Sequence, residues 1–394
     1  MQTRDVVILS GVRTAIGDYG GALKDVAPTQ LAAQCVREAV ARSGLAPARV
    51  GHVFMGNVIH TEPRDMYLSR VAAIEGGLPT DVPALTMNRL CGSAMQAIIS
   101  ATQAIMLGDA EVTVAGGAES MSRAGYLVPA MRWGQRMGDG VMIDAMVGAL
   151  TDPFGNGHMG ITAENVAKRH GIGREAQDAL AVESHRRAAA AIAEGRFDQQ
   201  IVPVSVKTRK DVIQVVRDEH VRGDVTLDGL AKLRPAFAKD GSVTAGNASG
   251  LNDGGAALVL MQAEAAAREG LKPLARIVSY AHSGVAPEVM GLGPIQAVKT
   301  ALERANLSLA DMDVIESNEA FAAQALAVSA ALDLPADRTN PNGGAIALGH
   351  PIGATGAIIT VKAAYELQRV NGNYALVTMC IGGGQGIALI LARD

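Results

Sequence analysis

Apolar residues along this chain recur with two periods, and the two periods take turns. Short continuous apolar runs bounded by Gly or polar residues predict buried strands at residues 6–9, 52–57, 84–90, 111–115, 255–261, 276–282, 313–316, 374–379 and 386–391. Between them, apolar residues at helical spacing predict helices over 29–43, 66–75, 94–107, 264–269, 295–305, 320–331 and 353–368. Strands that alternate with helices imply an α/β fold with helices packed on a mixed or parallel sheet.

The rhythm breaks from Ser120 to about Asn247. Helices are predicted there over 163–170 and 174–193, the second with Gln177, Ala181, Ser184 and Ala188 on one face. On either side of this stretch the chain repeats itself. AVARSGLAPARVGHVFMGN, ending at Asn57, matches ALERANLSLADMDVIESNE, ending at Glu319, in helix, turn and strand spacing without a gap. EVTVAGGAE from Glu111 likewise matches ALVTMCIGGGQ from Ala375. The expected organisation is one α/β half from 1–120 plus 248–272, an inserted segment at 121–247, and a second half at 273–394. A pseudo-twofold pair of such halves brings strand ends to one surface, where open α/β sheets bind ligands.

Composition narrows the classes of function. A 3% aromatic content offers no stacking platform for single-stranded nucleic acid, and a net charge of −4 gives no basic footprint for DNA or an anionic membrane. The basic residues between Lys207 and Arg234, Arg222 among them, are interspersed with acids and read first as a solvated surface, with phosphate binding as the alternative. Three widely spaced cysteines form neither a disulfide framework nor a metal motif, and a reducing compartment is expected. The N-terminus lacks a signal-peptide pattern and no stretch is expected to span a bilayer, so the expected location is the cytoplasm.

The 45 glycines cluster around candidate chemistry. Cys91 is predicted where a strand hands over to a helix N-terminus, a place that favours the nucleophilic thiolate. Cys35, on the apolar face of helix 29–43, reads as packing. GHPIGATG at 349–356 frames His350 with glycines, but it is not the GxGxxG spacing of a dinucleotide loop. CIGGGQG at 380–386 suits either a phosphate cradle or an oxyanion hole beside Cys380. Asn318 in SNEAF either caps the following helix or holds a water or carbonyl.

NRLCGSA, GNASGLNDG, SNEAFA, GGAIALGHPIGATG and CIGGGQG, in this order and spacing, resemble the thiolase family over essentially the whole chain. The likeness is to its bacterial acetyl-CoA acetyltransferases and broad-specificity β-ketothiolases. Ala94 departs from the CGSG of many relatives and adds a methyl beside the thiol. The resemblance implies two duplicated α/β halves in a five-layered αβαβα core, with an inserted loop domain. It implies Cys91 as the acyl-accepting nucleophile, His350 as its base and Cys380 as the second cysteine, which moves the proton of CoA or acetyl-CoA. Asn318 would hold a water that, with His350, stabilises the thioester oxygen. The N–H groups of Cys91 and Gly382 would form a second oxyanion hole.

The resemblance also implies CoA and acyl-group contacts at Leu150, His158, Arg222, Phe237, Ser249, Met290 and Phe321. Acyl-CoA and CoA are then the partners, as substrates, with no cofactor and no metal, and residues 126–147 fall where the family builds a homotetramer. The reaction implied is a reversible Claisen condensation of acetyl-CoA with acetyl-CoA or another short acyl-CoA. Structural histidine for His158, and core packing for Phe237 and Met290, stand as alternatives. So do an idle acyl-CoA-binding protein, a Cys–His thioester hydrolase, a decarboxylating synthase and a dinucleotide oxidoreductase. Cys380 separates the first reading from the hydrolase, because hydrolysis needs no base for a carbon acid.

Overall fold

The computed structural model describes residues 4–393. The first half runs β1 (Val6–Thr14), α1 (Pro28–Ser43), β2 (His52–Gly56), α2 (Leu68–Glu75), β3 (Ala84–Met87), α3 (Ser93–Leu107) and β4 (Val112–Ser120). An excursion carrying α4 (Met159–His170) and α5 (Arg174–Ala193) follows, and β5 (Asn252–Gln262) then rejoins the sheet. The second half comprises β6 (Ala275–Gly284), α6 (Gly293–Ala305), β7 (Val314–Ser317), α7 (Ala322–Leu332), α8 (Thr355–Arg369), β8 (Tyr374–Ile381) and β9 (Gln385–Ala392).

The halves repeat one topology. The first has the strand order β3-β2-β4-β5-β1, and the second β7-β8-β9-β6, with Thr339 bridging to Ile315 where β3 has its counterpart. Edge strands β1 and β6 pair antiparallel, Val6 opposite Ile277, which joins these nine strands into one sheet; two short strands, Gly17–Asp18 and Ile201–Val202, bring it to eleven.

Alternate strand residues face different helix layers, as period-2 geometry requires. In β5, Ala256, Leu258 and Leu260 face the central core, whereas Ala257, Val259 and Met261 face α1 and α2. In β9, Ile387, Leu389 and Leu391 face the same central core, while Ala388 and Ile390 face α6 and α7. Helices α3 and α8 fill that centre, giving the αβαβα layering expected from sequence. Gly356 permits their close approach, since a Cβ there would stand 2.5 Å from the Met95 backbone nitrogen.

Two expectations fail here. The run at 84–90 is not a buried strand: β3 ends at Met87 and lies at the sheet edge with Leu85 exposed, because only β2 flanks it. Second, Leu90–Leu107 is long and apolar enough to cross a bilayer. Its apolarity has another cause: α3 is enclosed between two sheet faces, and a helix buried on nearly every side is apolar nearly all round.

The excursion is fastened to both halves. Arg13 on β1 holds Asp218 with two bonds of 2.7 and 2.9 Å, both side chains fully buried, and Asp218 also accepts the Ile16 N–H. The predicted face of α5 is buried, and Ser184 on it bonds Glu319 at 2.7 Å and receives the Gly344 N–H at 3.0 Å. Segments on either side of the sheet's C-terminal edge are thereby held against α5.

Candidate active site

Cys91 sits in a tight turn between β3 and α3. Ser93 Oγ accepts the Arg89 N–H at 2.8 Å and donates to the Leu90 carbonyl at 2.6 Å, while Asn88 Oδ1 accepts the Leu90 N–H. Leu90 adopts φ +45, and every other positive-φ residue among the described residues is Gly, Asn or Asp. A branched aliphatic residue held in the left-handed region marks stored strain beside the thiol, on the order of 1–3 kcal/mol.

His350 follows Gly349, whose φ of +107 brings its backbone against Asn252. Asn252 Oδ1 accepts the His350 N–H at 2.8 Å. The ring's Nδ1 lies 2.7 Å from Thr355 Oγ1, while Nε2 is buried without a partner. Cys380 stands near the end of β8, opposite Gly386 of β9. Gly383 and Gly384 make the intervening turn at φ +82 and +86, a conformation open to glycine.

These three residues and Gly382 line one cavity of about 620 Å³. Its remaining wall includes every expected contact residue: Leu150, His158, Arg222, Phe237, Ser249, Met290 and Phe321. The excursion thus supplies one side of the cavity and the duplicated halves the other. His158 does two jobs, since Nδ1 caps α4 by accepting the Gly160 N–H and its ring stacks on Phe237 with centroids 4.8 Å apart. Phe237 meets Phe321 edge-on at 6.1 Å. Ser249 is anchored by its N–H to the Ala320 carbonyl at 3.0 Å. Met290 and Phe321 also belong to a buried cluster with Cys380, so packing and cavity wall coincide.

Asn318 is the one expected residue outside the cavity wall. It is buried, its N–H bonds the Thr378 carbonyl on β8, and neither side-chain amide atom has a partner. It does not cap α7, whose N-cap is Phe321. Two unpartnered amide atoms in a buried place suit a bound water or substrate oxygen.

Electrostatics overturn one expectation. The thiol of Cys91 is not poised as a thiolate: burial pushes its pKa up to about 11, against the pull of the Gly382 and Cys91 backbone N–H groups. Desolvation by apolar walls outweighs the helix terminus. Burial also raises Cys380, and proximity to Cys91 adds to it. Burial lowers His350 to about 4, so it is neutral and able to accept a proton. The resting site is therefore a set of uncharged groups: two thiols and an imidazole base.

The sequence did not single out Met159, His185 or His220, which also line the cavity. Adjacency to His158 was a signal for Met159, and a place beside buried Ser184 on α5 a signal for His185. Among the described residues, no group of three or more His, Cys, Asp or Glu side chains is arranged to hold a metal ion.

Family models describe both parts of the chain: the thiolase N-terminal domain matches residues 6–264 and the thiolase C-terminal domain residues 271–393. The beta-ketothiolase BktB of Cupriavidus necator is 64% identical over 392 residues, covering 99% of this chain and 100% of that one. An acetyl-CoA acetyltransferase of the same organism is 50% identical, covering 99% of each. The crystal structure of the Bacillus anthracis acetyl-CoA acetyltransferase superposes with a TM-score of 0.98 at 48% identity, covering 100% of this chain and 99% of that one. Human mitochondrial 3-ketoacyl-CoA thiolase in complex with CoA gives 0.96 at 45% identity, covering 99% and 98%. The chain belongs to the thiolase family. It is an acyltransferase, and its class of reaction is the thiolase Claisen condensation.

Proposed function

We propose that this chain is a β-ketothiolase that joins acetyl-CoA to acetyl-CoA or another short acyl-CoA, reversibly, through an acyl-Cys91 intermediate. The observation that carries the proposal is the meeting of Cys91, Cys380 and the free Nε2 of His350 around one apolar cavity. CoA thioesters are the substrates and no resident cofactor is required. A structural neighbour solved with CoA supports CoA as the occupant.

Acylation begins from neutral groups. His350 Nε2 takes the Cys91 proton as the sulfur attacks the acetyl-CoA carbonyl, because a free thiolate in this apolar cavity is costly. The N–H groups of Cys91 and Gly382, which already act on the sulfur, receive the oxyanion. Collapse expels the CoA thiolate, which takes the Cys380 proton and leaves as CoA.

A second acetyl-CoA then enters. The Cys380 thiolate removes a methyl proton, and its raised pKa makes it a stronger base for this weak carbon acid. The enolate oxygen is held by protonated His350 and by a water on Asn318. The enolate carbon attacks acyl-Cys91, the Cys91 sulfur departs, and His350 returns its proton. Thiolysis runs the same steps backwards.

Around this chemistry, the His158–Phe237 stack and Ser249 grip the pantetheine arm, and Arg222 meets the nucleotide end. The exposed apolar residues Met131, Trp133 and Met137 support association through residues 126–147 into a homotetramer. Free cysteines suit the reducing cytoplasm.

Steady-state thiolysis of acetoacetyl-CoA with CoA varied tests the reading. Parallel double-reciprocal lines are expected of a ping-pong enzyme. Intersecting lines would count against the acyl-enzyme, and release of free acetate at the rate of substrate loss would point to a hydrolase.

A further inference from the structure

The His350 ring has one hydrogen-bond partner, and that partner determines its chemistry. Thr355 Oγ1 lies 2.7 Å from Nδ1 and 2.9 Å from the Pro351 carbonyl oxygen. Two oxygens 2.9 Å apart repel unless a proton lies between them, and a carbonyl has none to give, so the single hydroxyl proton of Thr355 goes to Pro351 alongside the Ala354 and Thr355 N–H groups. What Oγ1 offers the ring is therefore a lone pair, and the ring proton must sit on Nδ1 to use it. In a neutral imidazole the other nitrogen is then bare. That nitrogen, Nε2, is buried and unpartnered on a residue lining the cavity with Cys91.

We propose that Thr355 is a positioning residue: its hydroxyl fixes His350 in the tautomer that leaves Nε2 free to accept the Cys91 proton. The inference rests on His350 acting as the base, and it adds how that base is kept ready. Thr355 suits the task because it is buried as the first residue of α8. Its hydroxyl reaches back four residues to Pro351, so its own orientation is settled before it meets the ring. The backbone of His350 is held separately by Asn252, so the ring approaches the hydroxyl from a fixed origin. Without the hydroxyl, a proton on Nδ1 would be buried with no acceptor. The proton would move to Nε2, the nitrogen that must be empty for Cys91 to be activated.

The test compares Thr355→Val, which keeps the shape and loses the oxygen, with Thr355→Ser, which keeps the oxygen. Three quantities are read: the single-turnover rate of Cys91 acetylation by acetyl-CoA, CoA affinity, and the pH profile of Cys91 alkylation by iodoacetamide. In Thr355→Val, acetylation is expected to fall on the order of 10²-fold with CoA affinity unchanged, as when a general base is disabled. Its alkylation is expected to become fast only in alkali, where the thiol ionises unaided. Thr355→Ser is expected to acetylate within about threefold of wild type and to keep the wild-type pH profile, since Ser retains the same acceptor.

Thr355→Val acetylating at the wild-type rate would overturn the proposal. So would Thr355→Ser failing as badly as Thr355→Val, because the methyl group rather than the oxygen would then matter. If Thr355→Val does not fold, Thr355→Ala with the same readouts and the same expectations takes its place. Wild-type protein that is never acetylated on Cys91 would instead overturn the functional reading on which the proposal rests.

Discussion

The carboxylate of Glu119 accepts the backbone N–H of Gly353 at 2.9 Å, a bond between the first half of the chain and the loop that carries His350. The same carboxylate takes the N–H groups of Val58 and Ile59 and the amide of Asn57, each at 3.1 Å. Four donors converge on a fully buried group, two on each oxygen. Glu119→Gln puts an NH2 where two of these donors now point. Each donor left unpaired costs about 1–3 kcal/mol. The variant is expected to unfold at lower temperature and to lose kcat through a displaced His350 loop, measured by calorimetry and steady-state thiolysis. Unchanged kcat in a destabilised variant would separate the clamp from catalysis.

The pH dependence follows from burial of His350. Its pKa in the folded protein, about 4, lies below its ordinary value of 6.5. If His350 is the base as proposed, its neutral form is present throughout the neutral range, and kcat/KM is expected to stay flat there and to fall only as pH drops through about 4. Ionisation of Cys91 near pH 11 leaves a nucleophile in place and adds no alkaline loss. The stability sign is also defined. Between pH 6.5 and 4 the unfolded chain binds this proton and the folded protein does not, so this group lowers stability as pH falls across that window. A kcat/KM profile with an inflection near 6.5 would contradict the account.

Phe237 divides binding from chemistry. Its ring stacks on His158 and meets Phe321, and the proposed mechanism gives it no reacting role. Phe237→Ala removes stacking worth about 1 kcal/mol, or roughly fivefold in KM for the CoA substrate. Little change in kcat is expected, and a large fall in kcat at constant KM would contradict this assignment.

Lys362 and Glu316 form an ion pair of 2.8 Å with both side chains almost fully buried, and Lys362 also donates to the Gly343 carbonyl. Lys362→Met leaves a buried carboxylate alone and is expected to cost about 3–5 kcal/mol in denaturant unfolding. Adding Glu316→Leu should recover most of that loss, because an apolar pair avoids the desolvation cost. A double variant no more stable than Lys362→Met would mean that packing, not charge, is responsible.

The duplicated fold was legible because its inner strands are apolar on both faces, as β5 and β9 are, and the repeat preserved their spacing. Strand β3 was misread for the same reason, since an edge strand can be as apolar as a central one. That Cys91, His350 and Cys380 would meet was legible because glycines crowd the loops that present them, and the three do line one cavity. The resting charge state was not. A turn before a helix suggested a thiolate, but the apolar residues packed against Cys91 include Met121 and Ile352, distant in the chain, and burial raises the thiol instead. Thr355 looked like any residue in the first turn of helix 353–368 until its hydroxyl was seen between Pro351 and His350. His185 lies on the predicted helix 174–193 and His220 on the irregular stretch after it, and both reach the cavity only through long-range contacts of the excursion.

The central claim is that Cys91 carries the acyl group while Cys380 moves the proton of the carbon acid. Peptide mapping by mass spectrometry, after brief exposure to acetyl-CoA and an acid quench, tests it in wild type and in Cys380→Ser. The account predicts an acetyl group on the Cys91 peptide in both proteins, with acetoacetyl-CoA formed by wild type alone. An unmodified Cys91 in protein that still binds acetyl-CoA would contradict it.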